Sequence, residues 1–82
     1  MAGESRKFYA VVKVDSLEVP DSLSKTGLHD HISAAVDEVI SNVKAFLKEQ
    51  GMMGKFNAYI EVFAKEESVT RLIESIKTKI RT

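Results

Sequence analysis

The sequence predicts an α/β (α+β) fold, a two-layer β-α-β-α sandwich whose two strands carry two amphipathic helices on one face. Two segments alternate apolar and polar residues with the period of a strand, and two others repeat apolar residues with the period of a helix. The chain has 82 residues, which is enough for one domain. We therefore expect residues 1–82 to form a single domain, with residues 1–6 disordered.

The first strand is predicted over residues 8–14, where β-branched and aromatic residues alternate. A turn or bulge is expected at Asp15 and Ser16, where the alternation breaks. The polar run over residues 20–27 predicts a loop. One face of the strand carries Phe8, Ala10, Val12 and Val14, and the other carries Tyr9, Val11 and Lys13.

The first helix is predicted over residues 27–50, because one apolar stripe runs from Leu28 to Leu47 at helical spacing. Thr26 is the predicted N-cap, and Gly51 follows the predicted C-terminus, where glycine is favoured.

A second strand is predicted over residues 55–65 and a second helix over residues 67–81. Acidic residues at the start of the second helix and basic residues at its end suit the helix dipole. The predicted core consists of Phe8, Ala10, Val12, Val14, Ile32, Val36, Val39, Ile40, Val43, Phe46, Leu47, Phe56, Ala58, Ile60, Val62, Leu72, Ile73, Ile76 and Ile80.

Composition argues against several kinds of site. The chain has no cysteine, so disulfides and thiolate metal sites are excluded. His29 and His31 would point in different directions on a helix and cannot share an ion there. No nucleotide, nucleophile or acid–base motif is present, so we predict no catalytic residue, no cofactor and no metal. The longest apolar runs fall short of the ~20 residues of a membrane span, and the N-terminus does not match a signal peptide, so we expect a cytoplasmic protein.

Residues 55–62 resemble the octapeptide of the RNA-recognition motif. They share its leading lysine, a small residue, an aromatic residue and the aliphatic residue that follows. The resemblance implies that Tyr59, together with Tyr9 on the first strand, would stack on bases of single-stranded nucleic acid. Asn57 stands where another aromatic residue is expected, and the glycine is missing. Residues 51–54 have the Gly-x-x-Gly spelling of the KH-domain loop, but here they join a helix to a strand.

The predicted strands also indicate self-association. A two-stranded sheet is marginal in water, and a chain of this length has a thin core. Tyr9, Val11, Tyr59 and Phe63 fall on the sheet face that the predicted helices leave uncovered. The two parallel strands would lie side by side or part to admit a strand from a second chain.

We therefore expect a non-enzymatic, homo-oligomeric interaction module, a dimer in the simplest case. Two alternatives stay open. One is single-stranded nucleic-acid binding through the same aromatic residues, although a net charge of zero is atypical of such proteins. The other is small-ligand binding at an oligomer interface.

Overall fold

The computed structural model describes residues 7–64 and 67–78. Its elements follow in the order β1 (Tyr9–Val14), α1 (Asp21–Ser24), α2 (Ile32–Glu49), β2 (Gly54–Ala64) and β3 (Glu67–Thr78). The three strands form one antiparallel sheet in the order β1-β2-β3, and α2 contacts all three strands. The mixed α+β class is therefore correct, whereas the two-stranded β-α-β-α arrangement with parallel strands is wrong.

The sheet is centred on β2, which pairs with both other strands. Tyr9 lies opposite Phe63 at one end of the β1–β2 ladder, and Val14 lies opposite Ala58 at the other. The β2–β3 ladder is regular as far as Val62, which faces Thr70. Beyond that point the register shifts by a bulge, because Phe63 faces Ser68 and leaves Val69 without a partner on β2.

The core lies between α2 and the inner face of the sheet. Apolar residues recur along α2 with a period of 3.6 and along the strands with a period of two, so each element presents one apolar face. Fully burying one side chain such as Leu47 contributes about 1.5–3 kcal/mol. The buried apolar residues are Ala10, Val12, Val14, Ala35, Val36, Val39, Val43, Leu47, Ala58, Ile60, Val62, Ala64 and Ile76. Phe8, Ile40, Phe56 and Leu72 are partly buried against them, and Phe46 is half-buried.

The predicted second helix is wrong, because residues 67–78 form the strand β3. The stretch is rich in β-branched residues, which favour strands. As a strand it also pairs with the backbone amides and carbonyls on the edge of β2 that β1 leaves unpaired. In a strand, Leu72 and Ile73 point to opposite faces of the sheet. Ile73 is consequently 72% exposed and not part of the core. The predicted core residue Ile80 lies outside the described residues, as do residues 1–6.

The first helix begins later than predicted, at Ile32 and not at residue 27. Leu28 precedes the helix and is exposed, and Thr26 is not an N-cap. Ile32, predicted to lie in the core, is the first residue of the helix and is exposed. Within the predicted loop, Asp21–Ser24 form the short helix α1. The turn expected at Asp15 and Ser16 is present. In the part of the chain that the structure describes, neither helix combines the length and apolar character needed to cross a membrane.

Candidate functional site

The candidate site is the sheet face opposite α2, here called the outer face. Alternate residues of a strand point to opposite sides of the sheet, so the residues between the buried ones lie on this face. The helix α2 packs against the opposite face, where its buried residues join those of the strands in one core. The outer face carries Tyr9, Val11 and Lys13 of β1, Lys55, Asn57, Tyr59, Glu61 and Phe63 of β2, and Arg71, Ile73 and Ser75 of β3.

The structure brings together the four residues that the sequence analysis assigned to this face. Tyr9 and Phe63 are direct partners on the β1–β2 ladder, and their rings stack with centroids 5.3 Å apart and planes 14° apart. The Lys25 ammonium lies 4.9 Å from the centroid of the Tyr9 ring, within range of a cation–π contact. Val11 follows Tyr9 on β1, and Tyr59 lies farther along β2. The Tyr9 ring therefore already has two neighbours over it.

The centre of the outer face is an open trough of about 370 Å³. Tyr59 lies directly across the ladder from Ile73, and these two side chains are 40% and 72% exposed. Sequence analysis missed the contribution of β3 here, because it assigned Ile73 to the core of a helix. Side chains from all three strands line the trough: Val11, Lys13, Tyr59, Glu61, Arg71 and Ile73.

Polar side chains at the trough form hydrogen bonds with one another and with neighbouring residues. The Tyr59 hydroxyl donates to Oδ2 of Asp15 at 3.0 Å, and this bond, with the negative charge of Asp15, raises the pKa of Tyr59. A hydrogen bond from Ser68 and another from Arg71 lower the pKa of Glu61. The Arg71 Nε atom lies 3.1 Å from Oε2 of Glu61.

The two outer edges of the sheet differ. Residues 25–29 lie along the outer edge of β1 and form hydrogen bonds with part of its backbone. We call this edge the closed edge. The amide of Phe8 donates to the carbonyl of His29, and the amide of His29 donates back to Phe8, both at 2.8 Å. Thr26 completes the closed edge, because its amide donates to the Ala10 carbonyl and its hydroxyl accepts from the Ala10 amide, each at 2.9 Å.

The far side of β3 is the other outer edge, here called the open edge. No strand among the described residues pairs with it, although β3 is 12 residues long. Its backbone groups therefore form the longest unpaired strand edge in that part of the chain. Unpaired amides and carbonyls in a row are a template for another strand.

The two histidines do not act together. The His29 ring contacts the Glu38 carboxylate of α2, whereas His31 occupies the N-cap position of α2 without a capping side-chain bond. Nowhere in the described ranges do three His, Cys, Asp or Glu side chains gather as metal ligands would.

The Gly-x-x-Gly segment is the turn from α2 to β2. Gly51 (φ +67°) and Gly54 (φ +124°) both need backbone angles that glycine adopts most readily. This turn chemistry accounts for both glycines without a nucleic-acid ligand.

No match to the chain was found among protein-family models, curated proteins or solved structures.

Proposed function

We propose that this protein is a non-enzymatic interaction module that acts as a homo-oligomer, in the simplest case a dimer, by contact through its sheet. The observation that carries the proposal is the exposed apolar centre of the outer face, where Ile73 and Tyr59 lie side by side with the half-buried Val11 nearby. Apolar clusters of this kind on small proteins are typical of interaction surfaces.

The charges around this centre favour a second copy of the chain as the partner. Lys13 and Arg71 supply two positive groups and Glu61 one negative group to the lining of the trough. Asp15 adds a second negative group beside it through its bond to the Tyr59 hydroxyl. A two-fold axis places a surface against itself, so a patch that carries charges of both signs can meet its own copy with opposite charges facing each other.

The proposal is tested by placing a charge on the outer face without disturbing the fold. Val11 lies directly opposite Glu61 on the β1–β2 ladder, so the substitution Val11→Lys adds a lysine beside a carboxylate that can pair with it. We expect the wild-type chain to sediment as an oligomer and Val11→Lys to weaken the outer-face contact by at least tenfold. Ser41→Lys is the matched control, because it adds the same charge at an exposed position of α2. A wild-type chain that stays monomeric at all concentrations would refute the proposal.

Small-ligand binding is a second candidate, supported by the trough itself. Its volume of about 370 Å³ falls in the range of ~300–1,000 Å³ typical of small-molecule sites. A ligand that binds the folded chain would raise its melting temperature, so thermal-shift screening with wild type and Val11→Lys tests this candidate. A compound that binds the trough should raise the melting temperature of Ser41→Lys as it does for wild type, but not that of Val11→Lys.

Nucleic-acid binding has less support. Stacking of a base needs a free ring face, whereas Tyr9 is stacked on Phe63 and has Lys25 above its ring. The Tyr59 hydroxyl is bonded to Asp15, whose negative charge would repel a phosphate backbone.

A further inference from the structure

We infer that two copies of this chain join through the open edge, with their β3 strands antiparallel about a two-fold axis at Ile73. Three strands from each copy would then form one continuous six-stranded sheet. The inference rests on the proposed self-association and specifies a contact different from the outer face. The two edges of the sheet differ. Residues 25–29 bond to the outer edge of β1, whereas no strand within the described residues pairs with the outer edge of β3.

Symmetry restricts how two β3 strands can pair. Residues directly opposite each other in an antiparallel ladder point to the same face of the sheet. A two-fold axis perpendicular to the sheet therefore passes beside one residue, which must face its own copy. Near the middle of β3 the residues that can occupy this position are Arg71, Leu72, Ile73 and Glu74.

Charge excludes two of these four registers. An axis at Arg71 would place two guanidinium groups directly opposite each other, and an axis at Glu74 would do the same with two carboxylates. Like charges at directly opposite positions are destabilising. With the axis at Ile73, Arg71 faces Ser75 of the second copy, and Glu74 faces Leu72, so no like charges are opposed.

The bulge decides between the remaining two registers. Val69 has no partner on β2, so the regular part of β3 begins at Thr70. An axis at Ile73 pairs residues 70–76 with residues 76–70 of the second copy, entirely within regular strand. An axis at Leu72 brings the bulge into the ladder after residue 70. The Ile73 register also covers the most exposed of the large apolar side chains described, whereas Leu72 is already packed against the core.

The closed edge of β1 explains why pairing would stop at two copies. After the β3 strands join, the outermost strand at each end of the six-stranded sheet is β1. Residues 25–29 already bond to the backbone of Phe8 and Ala10 there. A third copy would have to displace that segment before it could add a strand.

The chain contains no cysteine, so engineered cysteines report on the register without background. In the proposed register, Ile73→Cys places two cysteines directly opposite each other, with Cα atoms about 4.5–5.5 Å apart. This separation is within the range of about 4.4–6.8 Å that a disulfide spans. We expect mild oxidation to convert most of this variant to a covalent dimer on a denaturing gel. Ile73 is largely exposed, so the substitution should leave the fold intact.

Two matched variants identify the register. Arg71→Cys and Ser75→Cys should each stay monomeric when oxidised alone, because the two copies of either residue would lie about 14 Å apart along the strands. An equal mixture of these two variants should give a cross-linked dimer, since residue 71 faces residue 75 of the second copy. Circular dichroism under reducing conditions should match wild type for all three variants.

The outcomes separate this inference from the outer-face proposal. Loss of the Ile73→Cys cross-link, or equally strong cross-linking of Arg71→Cys alone, would overturn the edge contact. Val11 lies two strands away from the open edge, so Val11→Lys should leave the Ile73→Cys cross-link unchanged when the two substitutions are combined. An oligomer that dissociates with Val11→Lys but never cross-links at residue 73 would support the outer face alone and refute the edge contact.

Discussion

Removing the hydroxyl group of Thr26 should destabilise the protein by more than removing its methyl group. Thr26 is 6% exposed, and among the residues that the structure describes it is the one polar residue that is buried. Its Oγ1 atom accepts from the Ala10 amide at 2.9 Å and donates to the Gly27 carbonyl at 2.8 Å. Thr26→Val keeps the shape of the side chain but leaves the amide of the fully buried Ala10 without a partner.

The size of each effect follows from the free energy that each substitution removes. A buried donor without an acceptor costs about 1–3 kcal/mol, whereas Thr26→Ser, which keeps the hydroxyl, loses one methyl group worth about 0.8 kcal/mol. One kcal/mol shifts the melting temperature of a domain of this size by about 4–8 °C. We expect Thr26→Val to lower the melting temperature by roughly 4–24 °C, and Thr26→Ser by roughly 3–6 °C.

Thermal unfolding followed by circular dichroism measures both variants, and amide hydrogen exchange locates the effect. The Ala10 amide should exchange slowly in wild type and Thr26→Ser, and faster in Thr26→Val. If the hydroxyl did not bond to Ala10, valine would be the better residue for this buried position. A Thr26→Val protein as stable as Thr26→Ser, or more stable, would refute the reasoning.

Three other outcomes follow from the structure. Asp15→Asn should lower the pKa of Tyr59 towards its ordinary value, because the acceptor loses its negative charge; spectrophotometric titration of tyrosinate measures this. The pKa of Glu61 is lowered on folding, so Glu61 stabilises the fold above the pKa of the unfolded chain and loses this effect as the pH falls through its folded pKa. Ser68→Ala should raise the pKa of Glu61 in an NMR titration and weaken the acid dependence of unfolding. Leu47→Ala should cost about 2–5 kcal/mol in denaturant unfolding, because Leu47 is fully buried; a cost below 1 kcal/mol would contradict its place in the core.

Sequence periodicity predicted β1, β2 and the buried stripe of α2, because in these elements one period dominates. It failed for β3, where two periods compete. Val69, Leu72, Ile73 and Ile76 recur at helical spacing, but Leu72 and Ile76 also belong to an alternating pattern. The strand is formed because it pairs with the second edge of β2, a contact between chain segments that local spacing does not encode.

The start of α2 was misplaced for a related reason. The apolar stripe begins at Leu28, yet residues 25–29 pair with the edge of β1 and cannot be helical at the same time. Backbone bonds to Phe8 and Ala10 therefore outweigh the helical pattern at this point. The alternation of the first two strands did predict that Tyr9, Val11, Tyr59 and Phe63 would share one face. Ile73 and Arg71 were missed at the same face because their segment was assigned to a helix.

The closed edge also has a consequence for the order in which the chain emerges from a ribosome. Val14 pairs with Ala58, which lies 44 residues later in the chain. The ribosome needs about 2–9 s to add those residues at about 5–20 residues per second. During that interval β1 is without its neighbour in the sheet. Thr26 follows Ala10 by only 16 residues, so the segment that bonds to the other side of β1 is available about 1–3 s after Ala10. A nascent chain can thus cover one side of its first strand well before β2 exists, which limits the time that both sides are open to other nascent chains.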